Sequence, residues 1–178
     1  MKATLLTLSL AVIAAPVFAA NPDVGGAAMF ENKTIVENAV NSADHTTLVA
    51  AVTAAGLVEA LSGPGPFTVF APVNDAFAAL PAGTVDTLLK PENKDMLTKV
   101  LTAHVVAGDY KIADLKAMVG SDGYANLQTL SGDALSVKFS GNAMQVFSES
   151  RNIGAITISD VDQSNGVIHV VNAVLVPK

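Results

Sequence analysis

Apolar positions recur along the chain with two different periods, and the change of period separates a helical half from a strand half. Ile35, Val36, Ala39 and Val40 stand at helical spacing and predict an amphipathic helix. Leu48, Val49, Val52 and Ala55 repeat that spacing, with Asp44 as the expected N-cap and Gly56 as the left-handed residue that ends the helix. Leu57–Leu61 reads as a short turn leading into Ser62-Gly63-Pro64-Gly65-Pro66, a stretch that no helix tolerates. Phe67-Thr68-Val69-Phe70 then has the aromatic and β-branched content of a strand, which Pro72 stops. A helix opening at Val73 or Asn74 carries Phe77 and Leu80, and a shorter one capped by Thr84 carries Val85, Leu88 and Leu89. Pro91 starts a further helix whose inward stripe is Met96, Leu97, Val100 and Leu101. Ala103–Val106 reads as a strand, and Ile112, Leu115 and Val119 as the last helix, closed by Gly120.

From Ala125 onward the period is two. Leu135, Val137 and Phe139 alternate with polar residues, as do Met144 and Val146, and Ser131-Gly132-Asp133 and Ser140-Gly141-Asn142 supply tight turns. Two further runs, Ala155–Val161 and Val167–Val176, flank Asn165-Gly166. No internal repeat or linker interrupts this order. Helices first and strands last predict one α+β domain, with helices packed on an antiparallel or mixed sheet.

The N-terminus follows another logic. Met1 and Lys2 precede the eleven-residue stretch Leu5–Ala15, apolar but for Thr7 and Ser9, and Val17 and Ala19 take the −3 and −1 places of a cleavage site. We read residues 1–19 as a signal peptide, residues 20–31 as a flexible segment and residues 32–178 as the folded domain. A membrane span needs roughly 20 apolar residues, and this run is shorter. The expected product is secreted or periplasmic.

Composition narrows the partners. The chain has no cysteine, so disulfides, thiolate metal sites, cysteine nucleophiles and an N-terminal lipid-bearing cysteine are excluded. It has 10 basic and 16 acidic residues, a net charge of −6 that becomes −7 when Lys2 leaves, and no tryptophan. Nucleic acid and anionic membrane need the opposite balance. Proteins, glycans and apolar small molecules remain.

Candidate chemistry is sparse. His45, His104 and His169 lie 59 and 65 residues apart, with no spacing that makes a metal motif. Neither a nucleophile elbow nor a phosphate-binding glycine loop occurs, and Asp160 with Asp162 is a carboxylate pair without a motif. No catalytic, metal or cofactor-binding residue is therefore expected. Phe67, Val69, Phe70 and Phe77 read as core, worth roughly 1.5–3 kcal/mol each when fully buried. Pro72 followed by Asn74 or Asp75 reads as a stop and a cap. His169 stands among Val167, Ile168, Val170 and Val171, which predicts a buried imidazole hydrogen-bonded to backbone or to a polar group near Phe70. His104 opens a short strand from a position able to reach the surface, with packing read ahead of binding, and His45 is an ordinary first-turn residue. Met29, Met96, Met118 and Met144 offer an alternative in which they line a pocket for a small apolar ligand. Asn32-Lys33-Thr34 matches the glycosylation triplet.

Three stretches together resemble the fasciclin domain family. They are Gly65-Pro66-Phe67-Thr68-Val69-Phe70-Ala71-Pro72-Val73-Asn74-Asp75-Ala76-Phe77, Leu101-Thr102-Ala103-His104-Val105-Val106, and Asn165-Gly166-Val167-Ile168-His169-Val170-Val171-Asn172-Ala173-Val174-Leu175. The resemblance spans Asn32 to Lys178. It implies a fasciclin-like fold, with helices packed around a wedge of two β-sheets, and a non-enzymatic role in adhesion or protein interaction outside the cytoplasm. Phe70, Pro72, Asn74, Asp75, Phe77, Gly166 and His169 are its structural motif residues. By resemblance, Ala103, His104 and Val105 mark the family's partner-binding segment. The chain departs from the family pattern twice. Ala103 stands where a tyrosine usually pairs with the histidine for integrin contact, and Asn172 stands where the last box often has an acidic residue.

Overall fold

A computed structural model describes residues 22–178 of the chain; the signal-peptide reading of residues 1–19 lies outside them. The first described residues are not loose. Asp23–Val24 (β1) and Ala27–Ala28 (β2) form a small antiparallel hairpin. Val24 and Met29 are buried in the core, and the Gly25 carbonyl accepts the Ala43 amide, so ordered structure begins upstream of Asn32.

Six short helices and two 3-10 turns make up most of the next eighty residues. Ile35–Ala39 (α1) is started by a capping box of Thr34 and Glu37. The Thr34 hydroxyl accepts from the Glu37 amide and a Glu37 carboxylate oxygen accepts from the Thr34 amide. A 3-10 turn at Ala43–His45 precedes Thr46–Ala55 (α2), which Gly56 ends in the left-handed conformation at φ 73°. Asp44, the expected cap, sits inside the 3-10 turn instead. Leu57–Leu61, expected as a turn, is largely the helix Val58–Ser62 (α3). Asn74–Ala78 (α4) and Thr84–Leu88 (α5) follow, then Pro91–Asn93 in 3-10 form and Lys94–Thr102 (α6). Thr84 is the first residue of its helix rather than its cap, a place taken by Gly83. The α6 stripe buries Leu97, Val100 and Leu101, while Met96 turns outward at 60% exposure.

Phe67–Pro72 (β3) and Val105–Ala107 (β4) are the two strands of this half. After Ile112–Ala117 (α7) come Tyr124–Gln128 (β5), Ala134–Ser140 (β6), Ala143–Ser148 (β7), Ile153–Gln163 (β8) and Gly166–Val171 (β9). The strands run in the order β4-β3-β9-β8-β7-β6-β5, antiparallel except for the parallel pair β3–β9.

The sheet bends at β8, where the register with β9 shifts twice between Ile156 and Val161. Its far ends then meet: Val106 bridges Thr129, and the Leu130 amide donates to the Val105 carbonyl. Two arms thus enclose one core, filled by Phe70, Leu115, Leu135, Val137, Val146 and Val171. This is the wedge. The other face of β3 and β9 presents Val69, Ile168 and Val170 to a second core, built with Leu48, Val52, Leu97 and Leu101 of the helices. Because successive strand residues point to opposite faces, β3 and β9 serve both cores and are buried on both sides.

Candidate interaction site

The boxes at Phe70 and His169, almost a hundred residues apart, lie side by side. β3 and β9 pair from Phe67–Gly166 to Pro72–Val171, which sets Phe70 directly beside His169, their rings 5.5 Å apart. Gly166 has φ 152°, and a side chain on it would collide with the Phe67 carbonyl, so this close start of the parallel pair requires glycine.

His169 is fully buried, and its bonds define its tautomer. Nδ1 accepts the Asp160 amide at 3.2 Å, so Nε2 carries the hydrogen and donates to the Tyr110 carbonyl at 2.8 Å. The expected backbone partner is present, but it belongs to the loop before α7 and not to the first box; Phe70 supplies packing. Burial pushes the His169 pKa down, opposed by the bond to Tyr110 and by Asp160 and Asp109.

His104 does not reach the surface. Ala103, His104 and Val105 are all about 97% buried, and β4 starts only at Val105, so Ala103 and His104 form the turn out of α6. The His104 Nδ1–H donates to the Val100 carbonyl at 2.8 Å and Nε2 accepts the Leu175 amide at 2.8 Å. The imidazole thus ties the end of α6 to the segment after β9, and burial pushes its pKa down to about 4 against the opposing bond to Val100. A turn packed beneath this tie offers no side chain to a partner in this conformation.

His45 is buried as well, bonded through Nδ1 to the Ser42 hydroxyl at 2.9 Å. Its Nε2 has no hydrogen-bond partner among the described residues, although the Ala71 backbone lies close enough to work, with Asp44, against the downward pull of burial on its pKa. Among the described residues no cluster of histidine and acidic side chains is arranged to hold a metal ion. The methionines disperse: Met29 is buried, Met144 packs on the wedge core, and Met96 and Met118 are exposed.

Pro72 and Phe77 are buried and Asp75 is exposed at the first turn of α4, but α4 has no side-chain cap. Asn74 acts elsewhere. Its Oδ1 accepts the Thr47 amide at 3.0 Å, capping α2, while its Nδ2 donates to the Ala43 carbonyl at 2.7 Å. Asn165, expected only as a turn residue, is the other long-range clamp. Its Oδ1 accepts the Ile35 amide and its Nδ2 donates to the Leu61 and Gly63 carbonyls. A third amide, that of the buried Asn38, bonds both the amide and carbonyl of Phe30 and the side chain of Gln163. No local pattern marked these partners, because each lies in a different element.

A profile of the fasciclin domain matches residues 43–177. The chain belongs to the fasciclin family. Protein sll1483 of Synechocystis sp. is 50% identical to it over 154 residues, covering 86% of this chain and 79% of that protein. The immunogenic protein MPB70 of Mycobacterium bovis is 35% identical over 144 residues, covering 78% and 66%. Among solved structures, a FAS1 domain pair from the insect cell adhesion molecule fasciclin I superimposes with a TM-score of 0.69 at 17% identity, covering 80% of this chain and 50% of that one. That last likeness concerns the fold alone. The fasciclin fold expected from the three boxes is the one observed.

Proposed function

We propose that this fasciclin domain is an exported, non-enzymatic interaction module that works through contacts made by its outer surface. One observation carries the reading. The polar groups of the boxes are spent on holding the scaffold: both nitrogens of His104 and of His169, and both amide positions of Asn165, bond to backbone. A general base or a metal ligand needs a free lone pair facing a substrate, and these groups have none to give. No helix among the described residues is long and apolar enough to cross a membrane. The burial of Ala103, His104 and Val105 supports a contact surface elsewhere on the domain.

Proximity labelling in the native host, with the labelling enzyme fused to the C-terminus, tests this. Enrichment of envelope, surface or matrix proteins is the expected result. A label set confined to the cytoplasm, or a substrate turned over by the purified protein and protected from turnover by a chelator, would overturn it.

A further inference from the structure

A cavity of about 140 Å³ opens between α1, α2 and the β3–β4 side of the sheet. Its wall is nearly all hydrocarbon, from Val36, Val49, Val52, Leu101 and Val105 among others. The two polar side chains on it are already satisfied. Thr53 donates to the Val49 carbonyl at 2.8 Å, and His104 uses both ring nitrogens on backbone. A water molecule needs two to four polar partners, so this space does not suit one. Native cores hold few voids larger than a water, and a void weakens a fold in proportion to its volume. Larger side chains at a few of these valines would have closed it.

We infer that this cavity is a binding site for a small uncharged apolar ligand, a single aromatic ring or a short branched aliphatic group. The size is set by the volume: an engineered apolar cavity of about 150 Å³ takes up benzene or xenon. The charge is set by the wall, which offers no counter-ion and no free hydrogen-bonding group, so an ionised head group would lose its hydration uncompensated. Entry is past Val40, 55% exposed, and Thr53 at the lip. The methionines expected around such a pocket are absent from its wall; valines and leucines replace them. This site is independent of the surface role proposed above, and either can fail without the other.

The test uses the full-length exported protein with labelled valine and leucine methyls, titrated with benzene up to its aqueous solubility. Saturable shifts confined to the methyls of Val36, Val49, Val52, Leu101 and Val105, with a dissociation constant on the order of 1 mM or tighter, are expected. Val49→Phe, which fills the space from α2, is expected to weaken binding at least tenfold. Should that variant not fold, xenon under pressure on the unmodified protein replaces it, and shifts of the same methyls are expected. Absence of saturable shifts overturns the site. So do shifts spread evenly over the wedge core, or undiminished benzene binding by a folded Val49→Phe protein.

Discussion

Acidification from pH 6.5 towards 4 should loosen this domain, and His104 is the main reason. In the folded state its Nε2 must stay unprotonated to accept the Leu175 amide at 2.8 Å; a proton there would set two donors face to face. The pKa accordingly falls from 6.5 to about 4, driven by burial. The unfolded chain therefore binds the proton first, and stability is full above pH 6.5 and falls as pH drops towards 4. Each pH unit below 6.5 costs up to about 1.4 kcal/mol, so His104 alone removes about 3 kcal/mol by pH 4, a large part of a typical 5–15 kcal/mol. His45 and His169, whose pKa values burial also lowers, act with the same sign. Urea midpoints measured from pH 7.5 to 4.5 should fall steadily through this window. A His104→Leu protein should start less stable at pH 7.5, because it loses both bonds, and should show a shallower decline. A wild-type midpoint that stays flat from pH 6.5 to 4.5, or a His104→Leu slope equal to that of wild type, would refute the tie between α6 and the final segment.

The remaining predictions concern the long-range clamps and the altered adhesive segment. Asn165→Ala leaves the Ile35 amide and two carbonyls unpaired in the interior and should cost about 2–4 kcal/mol in thermal or urea unfolding; a loss under about 1 kcal/mol would mean that water replaces the amide. Asn74→Ala uncaps α2 and should cost about 1 kcal/mol, with faster hydrogen exchange at Thr47; an unchanged exchange rate there would contradict the capping role. Ala103→Tyr, which restores the tyrosine of the family's pair, should destabilise by roughly 1–3 kcal/mol through overpacking and gain no binding to animal cells; a stable variant that does bind them would show that the segment opens.

Much of the architecture was legible because it is written locally. Period-two alternation at Leu135, Val137 and Val146, glycine turns between them and the helical stripe of Leu97, Val100 and Leu101 each became the element expected. The boxes at Phe70 and His169 named the family and the fold. What the chain did not announce is what its amides do at a distance: Asn165 bonds a residue 130 positions earlier, and Asn74 caps a helix 27 positions before it. Sequence spacing encodes neighbours on one element, not partners across three. The burial of His104 was only partly legible for a related reason. A histidine leaving an amphipathic helix faces either way, and only the Leu175 amide, brought back by the chain's last segment, decides that it turns inward. The N-terminal hairpin escaped notice because two-residue strands carry too little pattern to read.

The parallel pair β3–β9 has a consequence for how the chain comes together. β9, an interior strand of the sheet, is the last strand to be synthesised, and a contact across so many residues makes slow folding the expectation. The facing edges of β3 and β8 therefore stay unpaired until the last strand of the chain is made. Shortened before Gly166, the chain would leave two bare edges, on β3 and β8, ready to pair with any strand nearby.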